Sequence, residues 1–263
     1  MPAQTVRLSN GVELPVLGLG VWQIPQRETA QAVRWALEAG YRHIDTATIY
    51  RNEEGVGAGL RESGLPREQV FVTTKFFPRA TDPDGELAAS LRRLRLDYVD
   101  LYLVHWPASE PTRLWNRFER FAEKGLARAV GVSNYSAGQL AELMRHADVP
   151  PTVNQIELNP FVYRRRLLEA CRDAGVVVEA YSPLMRGRDL DDRQIAAVAE
   201  KHGRTPAQVV LRWAVQRGTV VIPKSRNPDR IRSNAQIFDF TLDEDDLATL
   251  ERLDRTGGTD RAS

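Results

Sequence analysis

The sequence predicts one α/β domain over residues 1–263, folded as a closed (β/α)8 barrel with a short N-terminal hairpin and an extra outer C-terminal helix. Three observations carry this. Apolar runs of strand character alternate with amphipathic helical patterns along the whole chain. The polar residues ending three successive runs, Asp45, Lys75 and His105, stand thirty positions apart, about the length of one parallel strand plus its crossover helix. Runs such as Val176-Val-Val-Glu-Ala180 are nearly all apolar, as a parallel strand covered on its outer face requires.

Taken in order, Asn10-Gly11 between Val6–Leu8 and Val12–Leu14 marks a hairpin, because a tight turn needs residues that tolerate positive φ. Barrel strands are expected at Leu17–Gly20, His43–Asp45, Val70–Lys75, Val99–His105, Ala127–Ser133, Val153–Glu157, Val176–Tyr181 and Val220–Pro223. Apolar residues at i, i+3 and i+4 predict a helix after each: Glu28–Ala39, Glu53–Ser63, Gly85–Leu94, Thr112–Lys124, Ser136–His146, Arg164–Ala174, the pair Arg193–Lys201 and Pro206–Gln216, and Pro228–Asn234. Asp243–Leu253 reads as the outer helix. Eight right-handed units close a barrel, with a doubly wound open sheet as the alternative. No linker, low-complexity stretch or shift in composition marks a second domain.

Composition narrows the function classes. With 36 basic and 35 acidic residues interspersed, the net charge is +1, which argues against a nucleic-acid footprint or a membrane-binding face. No apolar run reaches the roughly 18 residues that span a bilayer, and the opening Met1-Pro-Ala-Gln-Thr-Val-Arg7 lacks a basic stretch followed by an apolar one, so a cytoplasmic protein is expected. The single cysteine, Cys171, lies in an amphipathic helix and reads as core in a reducing compartment. Histidines at 43, 105, 146 and 202 show no metal-ligand spacing, so no metal is expected. Positive charge is mostly arginine; lysine occurs only at 75, 124, 201 and 224. Two of the four, Lys75 and Lys224, fall at strand ends, where a compact, titratable ammonium differs in kind from a guanidinium.

In a barrel the site lies at the C-terminal ends of the strands. The polar residues there are Asp45, Lys75, His105, Ser133 with Asn134, Gln155 with Glu157, Tyr181 with Ser182, and Lys224 with Ser225. Singly, Asp45 reads equally well as a helix cap, His105 as a core imidazole, Tyr50 as a packed loop tyrosine and Lys75 as a lysine that snorkels to water. Together they form a proton-delivery set for a carbonyl that receives hydride, since the oxygen becomes an alkoxide and must take a proton almost at once. Tyr50 supplies the proton. Lys75 is expected to stabilise its phenolate and bring the phenol down from a pKa near 10. Asp45 keeps the lysine charged, and His105 steers the substrate oxygen towards Tyr50.

The stretch Gly40-Tyr-Arg-His-Ile-Asp-Thr-Ala47, continuing to Tyr50 and Asn52-Glu-Glu-Gly-Val-Gly57, resembles the signature of the aldo-keto reductase family. Ile222-Pro-Lys-Ser225 with Arg230 and Ser233-Asn234, and Gly131-Val-Ser-Asn-Tyr135, match two further patterns of that family. The likeness covers essentially the whole chain and is greatest to small bacterial members, which include diketogluconate reductases. It implies reduction of aldehydes and ketones with NADPH and no metal, Tyr50 being the acid and Asp45, Lys75 and His105 completing the tetrad. It also implies cofactor contacts at Trp22, Asp45, Ser133, Asn134, Gln155, Tyr181, Ser182, Leu184, Lys224, Ser225, Arg230 and Asn234. These carry physical sense. Ser133, Asn134 and Gln155 can hold a carboxamide, Tyr181 can stack on a nicotinamide face, and Lys224, Ser225 and Arg230 suit an adenosine 2′-phosphate.

Other motifs fail on context. Gly18-Leu-Gly20-Val-Trp-Gln23 lacks the third glycine of a dinucleotide fingerprint, Gly55-Val-Gly57-Ala-Gly59 falls inside a helix, and Gly131-Val-Ser133-Asn-Tyr135 lacks the final glycine of a nucleophile elbow. For substrate, the loops His105–Pro111 and Ser182–Asp192 are short and predict an open, shallow pocket. Trp22, Phe76, Phe77 and Trp106 are expected to line it with Tyr50 and His105, suiting small aldehydes, compact α-dicarbonyls or keto sugars. Arg51 reads either as an anion-favouring residue or as a solvated arginine at a helix start. The chain is expected to act as a monomer. The competing function is a regulatory barrel that binds NADPH with vestigial turnover; a purely structural barrel would predict an incomplete acid set.

Overall fold

The computed structural model describes residues 4–260. The hairpin comes first: β1 (Thr5–Arg7) pairs antiparallel with β2 (Glu13–Pro15), one residue outward from the expected spans, in the register Val6 to Leu14. Gly11 takes φ 87° at its turn.

Eight parallel strands follow: β3 (Leu19–Gly20), β4 (His43–Asp45), β5 (Phe71–Phe76), β6 (Val99–Val104), β7 (Ala127–Ser133), β8 (Val153–Glu157), β9 (Val177–Tyr181) and β10 (Val220–Val221). Each pairs with its sequence neighbour. A parallel bridge from Leu17 to Val221, with Gly18 N donating to Val221 O at 2.9 Å, joins the first strand to the last and closes the barrel. An open sheet is thereby excluded. Between and around the strands lie α1 (Gln26–Glu38), α2 (Glu53–Glu62), α3 (Pro83–Leu94), α4 (Pro111–Glu123), α5 (Ala137–Met144), α6 (Arg165–Asp173), α7 (Arg193–His202), α8 (Pro206–Gln216) and α9 (Pro228–Ala235), with α10 (Glu244–Glu251) outside. Every expected helix is present to within a few residues. No helix among the described residues is long and apolar enough to cross a membrane.

Strand alternation builds the interior in layers. Phe71, Leu101, Ala129, Val153 and Val220 form an apolar floor in the lower part of the barrel, with Leu103 reaching up from it, and Leu8 and Leu14 of the hairpin plug it from below. Above the floor lies a fully buried polar layer of His43, Asp45, Thr73, Lys75, Gln155 and Glu179. The opposite strand faces pack on the helices. There Tyr102, Phe76, Trp115, Phe118 and Phe121 form an aromatic cluster, with Tyr102 stacked on Phe118 at 4.9 Å. Cys171 is buried in this outer core, as expected.

The glycines of α2 have a packing role. A Cβ on Gly57 would sit 2.2 Å from the Leu94 carbonyl oxygen, so this position lets α2 approach the end of α3. Gly138 in α5 is exposed and faces open space. Gly57→Ala is therefore expected to lose about 1–3 kcal/mol of stability despite the better helix former. Gly138→Ala should gain about 0.5–1 kcal/mol. Urea denaturation of the pair checks the contrast; a neutral Gly57→Ala would refute the close-approach argument.

Candidate active site

Lys75 sets the site. It is the inward residue one step from the mouth end of β5, and its ammonium is completely buried. Nζ donates to Asp45 Oδ1 at 2.6 Å and to the Thr46 carbonyl at 2.8 Å. Burial works against the ammonium, but Asp45 leads the charges that oppose burial and hold Lys75 above the ordinary lysine range. On Asp45, burial pushes the carboxyl up while Lys75 and then Gln155 pull it down. The net effect leaves the Asp45 carboxyl above its ordinary value, and each group is the other's main charge partner, which makes the burial of both tolerable. The second Asp45 oxygen accepts from Gln155 Nε2 at 2.9 Å.

Tyr50 lies over this pair, on a 3-10 turn (Thr48–Tyr50) that follows β4. Buried Asn52 pins the turn: Nδ2 donates to the Val21 and Ile24 carbonyls at 2.9 and 3.1 Å, and Oδ1 accepts from Thr46 Oγ1 at 2.8 Å. Thr48 Oγ1 ties it to the Lys75 carbonyl at 3.1 Å. The Lys75 ammonium is 5.1 Å from the Tyr50 ring centre, and the His105 ring meets Tyr50 edge to face at 5.7 Å. The electrostatics correct one expectation. Burial pushes the Tyr50 phenol above its ordinary value, and the Lys75 charge only offsets part of that rise. Tyr50 is thus a protonated donor across neutral pH, held ready by Lys75 but not brought towards neutrality. Burial and then Lys75 push the His105 imidazole down to about 3, so it is neutral.

These groups open into a cavity of about 1140 Å³ that extends from Trp106 to α9, longer than the shallow pocket expected. Along its wall Ser133 Oγ donates to the Gln155 carbonyl at 2.8 Å, and Asn134 Nδ2 donates to Ser133 Oγ at 3.1 Å and the His105 carbonyl at 3.2 Å. Asn134 Oδ1 accepts from the Tyr181 hydroxyl at 3.0 Å. Trp22, Asp45, Ser182 and Leu184 also line it, and at the far end stand Lys224, Ser225, Arg230 and Asn234. Burial and the neighbouring Arg226 both lower the Lys224 pKa, the response of a cation that would be relieved by an anion. Arg226, overlooked in the sequence, lines the same end and pairs with Glu28 at 3.2 Å.

Two sequence expectations change, and a third, left between two readings, is decided. Phe76 does not face the cavity: it is the residue after inward-facing Lys75, so alternation turns it outward onto Phe118 at 6.3 Å. Phe77 stands behind His105, edge to face at 6.0 Å, and does not line the cavity. Arg51 is exposed, takes φ 56° to end the turn and also lies off the cavity wall, which fits the solvated reading. Sequence reasoning missed Ile49, exposed at the mouth one residue before Tyr50, and Arg186, whose guanidinium lies 4.8 Å from the Trp22 ring. It also missed Glu179, although an acid at an inward position of an otherwise apolar strand was visible. Among the described residues the exposed large hydrophobic side chains are Trp22, Ile49 and Trp106, and all three line this cavity. No cluster among them could hold a metal ion.

Comparison with known proteins agrees with the geometry. The model of the "Aldo/keto reductase family" matches residues 16–255. Glyoxal reductase of Bacillus subtilis (strain 168) is 45% identical over 256 residues, covering 95% of this chain and 93% of that protein. The 9,11-endoperoxide prostaglandin H2 reductase of Trypanosoma cruzi (strain CL Brener) is 46% identical over 264 residues, covering 96% and 93%. Among solved structures, an aldo/keto reductase from Brucella melitensis superposes with TM-score 0.91 at 42% identity, covering 96% of this chain and 100% of that one. An aldo-keto reductase from Bombyx mori in complex with NADP does so with TM-score 0.91 at 36% identity, covering 97% and 94%. This chain belongs to the aldo/keto reductase family.

Proposed function

We propose that this chain reduces the carbonyl group of small aldehydes and compact α-dicarbonyls, and of keto sugars that fit the same mouth, to an alcohol with NADPH, Tyr50 giving the proton. The observation that carries the reading is the fully buried Lys75–Asp45 pair beneath the Tyr50 ring, with neutral His105 across from it. A buried ion pair is poor value for stability alone, so its place under a phenol at the barrel mouth favours chemistry. The relationship to glyoxal reductase supports a small dicarbonyl, and the apolar rim of Trp22, Ile49 and Trp106 fits a short, weakly polar substrate.

The cavity residues suit the cofactor. Ser133, Asn134 and Gln155 offer donors and acceptors for a carboxamide, the Tyr181 ring offers a stacking face, and Lys224, Ser225 and Arg230 would hold the 2′-phosphate. Bound there, NADPH supplies the hydride for the carbonyl carbon. As negative charge grows on the substrate oxygen, His105 and Tyr50 hydrogen-bond it, and the Tyr50 proton passes to it. The Lys75 ammonium stabilises the phenolate left behind, and Asp45 keeps that ammonium charged and aimed. Solvent then returns a proton to Tyr50. This complete set gives the vestigial regulatory reading no supporting observation.

Tyr50→Phe should cut kcat by roughly 10²- to 10⁴-fold while NADPH affinity stays within a few-fold, as only the proton donor is lost; undiminished turnover of methylglyoxal would refute the role of Tyr50. Lys224→Ala and Arg230→Ala should each weaken NADPH by about 1.5–3 kcal/mol, roughly ten- to a hundredfold in Kd, and leave NADH nearly unchanged. Fluorescence titration with both cofactors tests this. His105 has its pKa lowered to about 3 and gains charge only below that, so kcat for reduction should show no inflection between about pH 5 and 7. A limb in that range that disappears in His105→Gln would overturn the neutral-imidazole assignment.

A further inference from the structure

Beneath the mouth, the barrel interior holds one acid more than it has cations. Glu179 projects inward from β9 and is fully buried. The amide nitrogen of Gln155 bridges the two carboxyls, donating to Asp45 Oδ2 at 2.9 Å and to Glu179 Oε1. Lys75 is bonded to Asp45 and not to Glu179. Glu179 Oε2 has no hydrogen-bond partner, and the nearest basic group to it is His43 Nε2 at 3.9 Å. That imidazole cannot serve as a counter-ion: burial and then Lys75 push its pKa down to about 3, and its Nε2 is engaged with Thr73 Oγ1 at 3.0 Å.

The other faces of Glu179 offer no further charge. Its partners in register are Gln155 on β8 and Val220 on β10, and the charged or titratable groups towards it are Asp45 and His43 from β4, Lys75 from β5 and Tyr50 from the turn above. One buried ammonium can neutralise one buried carboxylate, so the surplus carboxyl keeps a proton. In accord with this, burial and then the Asp45 charge raise Glu179 to about 8.

The geometry points to Glu179 as a proton-linked selector between the oxidised and reduced cofactor. This rests on the reading that the nicotinamide lies against Ser133, Asn134, Gln155 and Tyr181. The oxidised ring carries a positive charge and the reduced ring carries none. Glu179 sits beside Gln155 of that wall, in register with it and hydrogen-bonded to it, two residues before Tyr181 on the same strand. A cation above an interior of low polarisability favours the ionised carboxyl. When NADP+ binds, the O–H bond of Glu179 breaks, the electron pair stays on the carboxylate and the proton goes to solvent. NADPH binding leaves the proton in place. By reciprocity, raising the pH tightens NADP+ and not NADPH. Glu179 acts through its charge and through Gln155, without contact with substrate.

Isothermal titration in buffers of different ionisation enthalpy counts the protons released as each cofactor binds. The 2′-phosphate, with a pKa near 6, contributes equally for both cofactors, so the difference between them isolates the ring charge. Tyr50 titrates too high to contribute. Near pH 7.5, NADP+ should release roughly half a proton more than NADPH, and its Kd should fall roughly tenfold relative to that of NADPH between about pH 6.5 and about pH 9. Glu179→Gln, which keeps shape and the acceptor for Gln155, should abolish both differences. Equal proton release for the two cofactors in the wild-type protein, which needs no variant to fold, would overturn the inference, as would an excess that persists in Glu179→Gln. Failure of both cofactors to bind would overturn the underlying assignment of the cavity as well.

Discussion

The complete burial of one ammonium group governs the interior of this barrel. Lys75 is fully buried, and its charge is tolerable because Asp45, one strand away, meets it at 2.6 Å with the Thr46 carbonyl beside it. That requirement fixes the register of β4 and β5, in which Asp45 pairs with Thr73 so that Lys75 stands one inward step above. It also fixes the Gln155 amide, whose nitrogen must face the carboxylates. Tyr50 and His105 are then placed over an already organised charge.

The layers follow from the same constraint. A buried ion pair needs a dry surrounding if it is to act strongly on a phenol, and the plugged apolar floor supplies one from below. The outer aromatic cluster packs α4 onto β6 and onto β5, the strand that carries Lys75. Asn52 extends the order to the loop bearing Tyr50, because a 3-10 turn has too few internal hydrogen bonds to hold itself. The result is a phenol that burial keeps protonated above a fixed, buried charge.

Membership of the aldo/keto reductase family agrees with this arrangement. Here the rim combines two tryptophans and Ile49 with Arg186, which is held over Trp22. The loop after β9 has non-glycine residues at positive φ at Ser182, Met185, Arg186 and Asp189, so its shape is imposed by packing at some cost in strain. Such a loop cannot be drawn from local preference.

Periodicity and strand-end chemistry made most of the fold legible. Eight apolar runs, a thirty-residue spacing and the Asn10-Gly11 turn are local signals, and Asp45, Lys75, His105 and Tyr50 stand out because strand ends are where a barrel puts chemistry. What the sequence by itself determined was therefore the architecture and which polar strand-end residues meet at the barrel mouth. Tertiary structure alone decided direction and electrostatics. Phe76 turns away from the site because it follows an inward lysine, and whether a strand's odd or even residues face the axis depends on register. Burial raised the Tyr50 phenol, and it left Glu179 as a surplus acid, because desolvation is set by the whole surrounding volume and no sequence window measures that.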